Sequence, residues 1–190
     1  MESKREKLIT IFSKYNAQIN LSAIRKPEEI LVKHIQDALE LEKIFQFEKG
    51  KTIADLGTGG WFPLLPLAMQ HPNNRFTGID ARRKKVDAVN AMIDELWISN
   101  VKARWSRIEE YNDKFDYVMA RAVAYIDILR EWSQHLLRKG GKLILFKSAS
   151  IEEKEDIETI CINNALQIEI EHHYKLFDGD QERVIYVISN

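Results

Sequence analysis

Residues 55–63 read DLGTGGWFP, and this stretch decides the fold of the chain. It includes the end of a short apolar segment, 52–56, that is typical of a buried strand, and it runs into a predicted helix over 63–70. Glycines at such a turn let the backbone approach a ligand closely, because a Cβ would clash. Ligands of parallel sheets bind at the carboxyl ends of the strands. The stretch therefore predicts a ligand-binding edge after the first strand.

Strand and helix patterns alternate beyond this turn. Apolar runs predict strands, and helical spacing of apolar residues, as in Val86, Val89 and Ile93, predicts helices. Such alternation with short links is typical of a doubly wound, mostly parallel α/β sheet with helices on both faces. The last two strands follow each other without a helix, which predicts an antiparallel hairpin at the sheet edge. The predicted strands are 52–56, 75–80, 101–105, 115–120, 142–146, 166–174 and 183–188, and the helices between them are 63–70, 82–97, 126–137 and 152–164.

A purely helical pattern precedes the first strand. Leu8, Ile11 and Phe12 recur at helical spacing. Pro27, followed by two glutamates, is a favourable helix start, because proline suits the first turn and acids complement the helix dipole. The composition changes near Gly50. We therefore predict two parts, a helical cap over 1–48 and one compact α/β domain over 49–190.

Composition limits the classes of function. The chain has 190 residues, 28 Lys plus Arg against 29 Asp plus Glu, and a net charge of −1. This balance argues against a protein that coats nucleic acid, although it allows a local basic patch. With Cys161 as the single cysteine, no intrachain disulfide is expected, and the histidine spacing predicts no metal site. A charged N-terminus and the lack of a long apolar run predict a soluble, cytoplasmic protein without a membrane segment.

The sequence of the turn limits the classes of ligand that it can bind. A dinucleotide fingerprint requires glycine where Phe62 stands. The Gly-x-x-x-x-Gly-Lys-Ser/Thr phosphate loop does not occur either, because Phe45 stands where a loop ending in Gly50-Lys51-Thr52 requires its first glycine. An acid before the turn, Asp55, and an acid after the second strand, Asp80, suit S-adenosylmethionine. That cofactor has no phosphates, its ammonium and sulfonium favour carboxylates, and its ribose diol suits the second acid. A plain strand-to-helix turn without a ligand remains the alternative.

Several further motifs, in order, give the chain a family resemblance. They are Asn-Leu-Ser at 20–22, the segment 25–37 with its Arg-x-Pro and His-x-x-Asp, the turn at 55–63, Ser-Arg-Ile-Glu-Glu at 106–110, Ala-Arg-Ala at 120–122, Lys147 and Asp-Gly at 178–179. Over roughly 12–188 the sequence resembles the bacterial glucose-inhibited-division protein B family of small-subunit rRNA guanine-N7 methyltransferases. The resemblance implies a class I S-adenosylmethionine-dependent methyltransferase fold, formation of 7-methylguanosine in 16S rRNA, and the small ribosomal subunit as partner. No obligate protein partner is evident.

The resemblance also implies roles for individual residues. Arg121 would orient groups beside cofactor and target base, and Lys147 and His34 would face the RNA. The implied cofactor site contains Asp55, Gly57, Gly59, Phe62, Asp80, Ile108, Glu109 and Arg121. Trp61 stands where the family usually has a third glycine, so its indole must point outward or reshape the pocket.

A run of four cations is the main candidate for RNA binding in the sequence itself. It consists of Arg82, Arg83, Lys84 and Lys85, directly after Asp80. Cations in a first helical turn oppose the helix dipole, which favours a binding role, but a solvated helix face is the alternative.

No general base is expected, because guanine N7 carries a lone pair and no proton. Two other functions remain open at this point. One is a non-catalytic protein that binds S-adenosylmethionine or RNA on the same scaffold, and the other is a methyltransferase for another nucleobase or a small molecule.

Overall fold

A computed structural model describes residues 3–121, 135–176 and 182–189. Its strands are β1 Thr52–Leu56, β2 Arg75–Asp80, β3 Val101–Trp105, β4 Phe115–Arg121, β5 Leu137–Ser148, β6 Gln167–Lys175 and β7 Glu182–Ser189. They form one seven-stranded sheet in the order β3-β2-β1-β4-β5-β7-β6. The strands β1 to β5 pair in parallel, whereas β7 is antiparallel to both β5 and β6. The predicted mixed sheet with an antiparallel hairpin at its edge is confirmed.

Helices cover both faces of this sheet. Of the helix predicted over 126–137, residues 126–134 lie outside the described residues, and Leu137 already belongs to β5. Among the described residues, no helix is long and apolar enough to cross a bilayer. The α-helices are α1 Lys4–Ile19, α2 Pro27–Ile30, α3 Asp37–Leu39, α4 Leu64–Gln70, α5 Arg83–Leu96 and α6 Ile151–Asn163, with 3-10 turns at Glu40–Lys43 and Ile108–Glu110.

The N-terminal helices pack on one face of the sheet. A capping box fixes the start of α1, in which the Ser3 Oγ accepts from the Glu6 backbone N–H and the Ser3 N–H donates to Glu6. Leu8, Ile11 and Phe12 of α1 join the same apolar core as α4 and α5. Burial of this shared core holds the N-terminal helices against this face of the sheet.

A π-helical turn, Leu31–Gln36, interrupts the helical segment between α2 and α3. π-Helical turns are rare in proteins, and those that occur are often found at functional sites. His34 lies within this turn and Asp37 directly after it, and both side chains are buried. The sequence pattern predicts only a regular helix at this place.

Trp97 ends α5 in a conformation that suits glycine. Its φ is 58° and its side chain is 87% exposed. We expect Trp97→Gly to raise the free energy of unfolding by about 0.5–1 kcal/mol, because the left-handed conformation costs an L-residue about 1–2 kcal/mol and glycine loses more backbone entropy. Urea unfolding measures the change. Trp97→Ala is the matched control, since it removes the indole but keeps the Cβ, and an equal gain in both variants would contradict the explanation.

Candidate functional site

The glycine turn after β1 bends back over the sheet edge. Gly57 and Gly59 adopt positive φ values of 64° and 48°, which glycine accepts without steric cost. The Gly57 N–H donates to the Ile79 carbonyl at 2.9 Å, and this bond ties the turn to β2. The turn therefore lies across the carboxyl ends of β1 and β2, where the sequence predicts a ligand.

Asp55 lies beneath this turn without a partner. Its side chain is buried, and neither carboxylate oxygen has a hydrogen bond. Burial raises the pKa of Asp55 well above 3.8, while the positive charge of Arg121 opposes the rise and Asp80 adds to it. An unpaired buried carboxylate costs free energy, and a cationic ligand would offset that cost.

Asp80, at the end of β2, holds the turn and the start of α5. Its Oδ2 accepts the Gly59 N–H at 3.1 Å, and its Oδ1 accepts the Arg82 N–H at 2.7 Å. Each carboxylate oxygen can accept a further hydrogen bond. The carboxylate is thus fixed beside the glycine turn and retains acceptor capacity toward a ligand.

Trp61 does not point outward, so that part of the expectation is wrong. Its φ is 69° and its indole is fully buried in the core under the turn. The ring occupies the space over Gly78, where an ideal Cβ would come within 2.6 Å of the Trp61 Cη2. Gly78 therefore accommodates the indole, and the tryptophan fills the side of the turn that faces β2.

The cap places a neutral histidine against the turn. The His34 ring stacks on Phe62 with centroids 4.6 Å apart, and Phe12 meets both rings edge-on. Burial, assisted by the charge of Arg121, lowers the pKa of His34 to about 3. His34 is therefore uncharged at neutral pH. Because an arginine only donates, the Nδ1 must accept from Arg121 at 3.2 Å, and the Nε2 proton points to the Ser22 Oγ at 2.9 Å.

Arg121, the last residue of β4, is oriented by the cap. Its side chain is 13% exposed. Its Nη2 donates to the Lys33 carbonyl at 2.9 Å as well as to His34, and its Nη1 lies 3.2 Å from the Asp37 Oδ2 without hydrogen-bond geometry. Burial lowers the pKa of Arg121, whereas Asp37 and Asp55 favour the charged form. The Nη1 forms no hydrogen bond within the described residues and retains its donors for a ligand.

Two residues of the edge hairpin complete this cluster, and sequence reasoning missed both. The Tyr174 hydroxyl donates to the Asp37 Oδ1 at 2.7 Å, and the Arg183 Nε lies 3.6 Å from the same oxygen. Burial and Asp37 raise the pKa of Tyr174. The signal available in the sequence was weak: an arginine next to the apolar run of β7.

Ile108 and Glu109 follow β3, on the 3-10 turn. Ile108 is buried, and Glu109 is exposed at the same sheet edge. This arrangement fits an apolar wall with an acceptor beside it, as the resemblance implies for an adenine site. No group of three or more metal-ligating side chains occurs in the described part of the chain.

The predicted RNA-facing cations differ in how available they are. Arg82, Arg83 and Lys84 are exposed, although the Arg82 Nε lies 3.6 Å from the Asp80 Oδ1 and the Arg83 Nε 3.8 Å from the Asp87 Oδ2. Lys85 donates to the Leu21 carbonyl at 3.3 Å, and burial lowers its pKa. Lys147 is 10% exposed and forms an ion pair with Glu153 at 3.2 Å, so it does not stand on an open rim. Contact between these residues and RNA remains a prediction.

The carboxyl ends of β1 and β4 thus carry the unpartnered carboxylate of Asp55 and the guanidinium of Arg121. A second carboxylate, that of Asp80, accepts a hydrogen bond from the glycine turn at 3.1 Å. A ligand with an ammonium, a carboxylate and a diol would match these groups.

Comparisons with known proteins agree with this geometry. A family model described as rRNA small subunit methyltransferase G matches residues 1–185. The ribosomal RNA small subunit methyltransferase G of Lachnoclostridium phytofermentans is 34% identical over 184 residues, which cover 92% of this chain and 75% of that protein. The protein of the same name from Pasteurella multocida is 34% identical over 181 residues, with 94% and 84% covered.

Solved structures show the same fold at low identity. A ribosomal protein L11 methylase from Lactobacillus delbrueckii subsp. bulgaricus superposes with a TM-score of 0.64 at 20% identity, covering 83% of this chain and 78% of that chain. A SAM-dependent methyltransferase from Aquifex aeolicus gives 0.64 at 17% identity, covering 93% and 97%. The sheet is therefore that of the class I methyltransferases, and the chain belongs to the rRNA small subunit methyltransferase G family.

Proposed function

We propose that the chain transfers a methyl group from S-adenosylmethionine to N7 of a guanine in 16S rRNA of the small ribosomal subunit. The observation that carries the proposal is the buried carboxylate of Asp55, which has no hydrogen bond beneath the glycine turn. Family membership and the names of the relatives support rRNA as the substrate.

The residues present fit this cofactor. Asp55 would hold the ammonium of its methionine part, and the acceptor capacity left on Asp80 suits a ribose diol. Gly57 and Gly59 allow close approach, Phe62 forms a wall, and the Ile108–Glu110 turn would flank the adenine. When bound, S-adenosylmethionine supplies an activated methyl group on a sulfonium.

The chemistry requires little of the protein beyond placement. Guanine N7 attacks with its own lone pair, so no side chain has to remove a proton. Orientation alone contributes up to about 7–11 kcal/mol in favourable cases. The neutral state of His34 suits this reaction, since a further cation beside the purine would oppose the positive charge that develops there.

Arg121 would orient an oxygen acceptor of the bound groups, either guanine O6, a phosphate or the cofactor carboxylate. It cannot bind O6 and N7 together, because that would block the nucleophile. We expect Arg121→Ala to lower turnover by about 100-fold, the effect of a misplaced reacting group, and cofactor affinity by less than tenfold. Radiolabelled methyl transfer and calorimetry measure the two. Arg121→Lys is the control that keeps the charge, and equal losses of turnover and affinity would show that Arg121 acts on the cofactor carboxylate rather than on guanine O6 or a phosphate.

In the decisive experiment, the protein and S-adenosylmethionine are incubated with small ribosomal subunits from a strain that lacks the modification, and the methylated base is then mapped. A single N7-methylguanine in 16S rRNA is the expected result. Methylation of another base or of a small molecule would overturn the assignment of the target. Calorimetry without any S-adenosylmethionine binding by folded protein would favour a non-catalytic role.

A further inference from the structure

A cavity lies at the amino-terminal ends of the strands, whereas the candidate site lies at their carboxyl ends. Its volume is about 310 Å³, within the range of ligand pockets. It opens where β1 to β4 begin, so it lies one strand length, about 20 Å, from the carboxyl ends. Polar and basic side chains line much of it, namely Thr52, Arg75, Thr77, Lys102, Lys114 and Arg138.

The sheet register places cations of neighbouring strands on one face. Arg75 of β2 pairs with Thr52 of β1, and Lys102 of β3 pairs with Thr77 of β2. Because side chains alternate along a strand, Arg75, Thr77 and Lys102 share a face, and Arg104 follows two residues after Lys102 on it. This face leads from the cavity toward the carboxyl end of β3.

Three of these cations have no carboxylate partner. Arg75, Lys102 and Lys114 are exposed, and none of them forms an ion pair with another described residue. The carboxylate in the described lining, Asp113, accepts the Tyr111 hydroxyl at 3.0 Å. A local surplus of positive charge therefore stands on a chain whose net charge is −1.

The walls of the cavity are held in place by hydrogen bonds. The Arg138 Nη1 donates to the Thr52 Oγ1 at 2.7 Å and to the Asp116 Oδ2 at 2.8 Å. The Asn100 amide donates to three backbone carbonyls at 3.0–3.1 Å, which fixes the loop before β3. The strand ends that carry the cations are therefore held in place, so the entropic cost of binding falls mainly on the cationic side chains themselves.

The outer edge of β3 is blocked for strand addition. The Asn90 side chain accepts the Ala103 N–H at 3.0 Å and donates to the Ala103 carbonyl at 3.4 Å. A partner strand would have to displace this pair. Recognition here rests on the cationic side chains rather than on backbone pairing.

We propose that Arg75, Lys102 and Lys114 form a basal basic site that binds phosphates of the RNA backbone, as a second contact with the RNA substrate. The proposal rests on the proposed function. Clustered like charges repel one another, and phosphates offset that repulsion while adding affinity that is independent of sequence. At the other edge, Lys147 and Lys85 are engaged within the protein, which leaves fewer cations there for the RNA.

The test compares two triple variants that remove three positive charges each. One is Arg75→Gln/Lys102→Gln/Lys114→Gln, and the control is Lys4→Gln/Arg5→Gln/Lys7→Gln on α1. Binding to small ribosomal subunits from a strain lacking the modification is measured across a salt series. We expect the basal variant to bind the subunits about tenfold more weakly. Its affinity should also depend less steeply on salt, with the magnitude of the slope of log affinity against log salt smaller by about 2. The control should change affinity less than twofold.

Other readouts separate this site from the catalytic one. Affinity for S-adenosylmethionine and the rate at saturating subunits should stay unchanged in the basal variant, and thermal unfolding checks that it is folded. Unchanged subunit binding, or equal losses in both variants, would overturn the proposal. A second experiment measures thermal unfolding with inorganic pyrophosphate. If pyrophosphate stabilises the wild type but not the basal variant, and the variant binds subunits as well as the wild type, the site binds a free phosphate ligand and not RNA. Binding without methyl transfer by the wild type would contradict the proposed function but leave this comparison valid.

Discussion

Replacing Asp37 with asparagine is expected to lower the free energy of unfolding by about 3–5 kcal/mol, the usual cost of removing one partner from a buried ion pair. The Asp37 carboxylate is fully buried between two guanidiniums, with Arg121 at 3.2 Å and Arg183 at 3.6 Å. Asparagine keeps the size of the side chain but removes its charge, so the two cations would face each other without a counter-ion. Urea unfolding, followed by far-UV circular dichroism and tryptophan fluorescence, measures the loss.

Tyr174→Phe is the matched control for this cluster. It removes one hydrogen bond to the same carboxylate, at 2.7 Å, and leaves both ion pairs intact. The expected loss is about 2 kcal/mol, because a hydrogen bond to a charged group contributes about 1.5–3 kcal/mol. A variant Asp37→Asn as stable as the wild type would show that the cluster does not hold the cap against the edge hairpin.

The strands that carry the site are predictable from local sequence. The predicted bounds 52–56, 75–80 and 101–105 coincide with β1, β2 and β3. Each is a short β-prone run beside turn residues, so the local signal and the fold agree. Asp55 and Asp80 follow from this, since acids at the ends of adjacent parallel strands must meet at one edge.

The beginning of β5 shows where local signals fail. The strand starts at Leu137, five residues before the predicted 142, and contains Gly140 at a φ of 73°. The two cations and two glycines of residues 138–141 predict a turn, and the register shows a bulge there, since Leu137 pairs with Phe115 of β4 whereas Lys142 already pairs with Tyr117. The turn signal is therefore correct for 138–141, and what the segment itself does not reveal is that Leu137, before the bulge, pairs with the neighbouring strand.

Side-chain partners distant in sequence are the other limit. Lys147 is predicted from the sequence to contact RNA, but α6 places the Glu153 carboxylate 3.2 Å from its ammonium. Arg121 is named by its motif, whereas its orientation depends on Asp37 and Tyr174, which come from the cap and from β6. Such contacts arise only from the packing of separate elements, and no spacing within one segment reveals them.

Replacing Asp55 with asparagine is expected to have two effects of opposite sign. In the cofactor-free protein, the free energy of unfolding at pH 8 should rise by about 1–2 kcal/mol, because an unpaired buried carboxylate costs more than an unpaired amide. Cofactor affinity should fall by about 10- to 100-fold, since a charge-assisted hydrogen bond to the ammonium is lost. Urea unfolding measures the first effect, and calorimetry with S-adenosylmethionine measures the second.

The pH dependence distinguishes this explanation from a general disturbance of the site. Because burial raises the pKa of Asp55 above 3.8, the folded protein without cofactor binds a proton that the unfolded chain releases. Asp55 therefore makes the wild type less stable as the pH rises from 3.8 through the raised pKa, and the advantage of Asp55→Asn should grow over the same range. Cofactor affinity of the wild type should rise with pH, since the ammonium requires the ionised carboxylate, while that of the variant lacks this contribution. The same affinity change with pH in both proteins would show that the ammonium is held elsewhere.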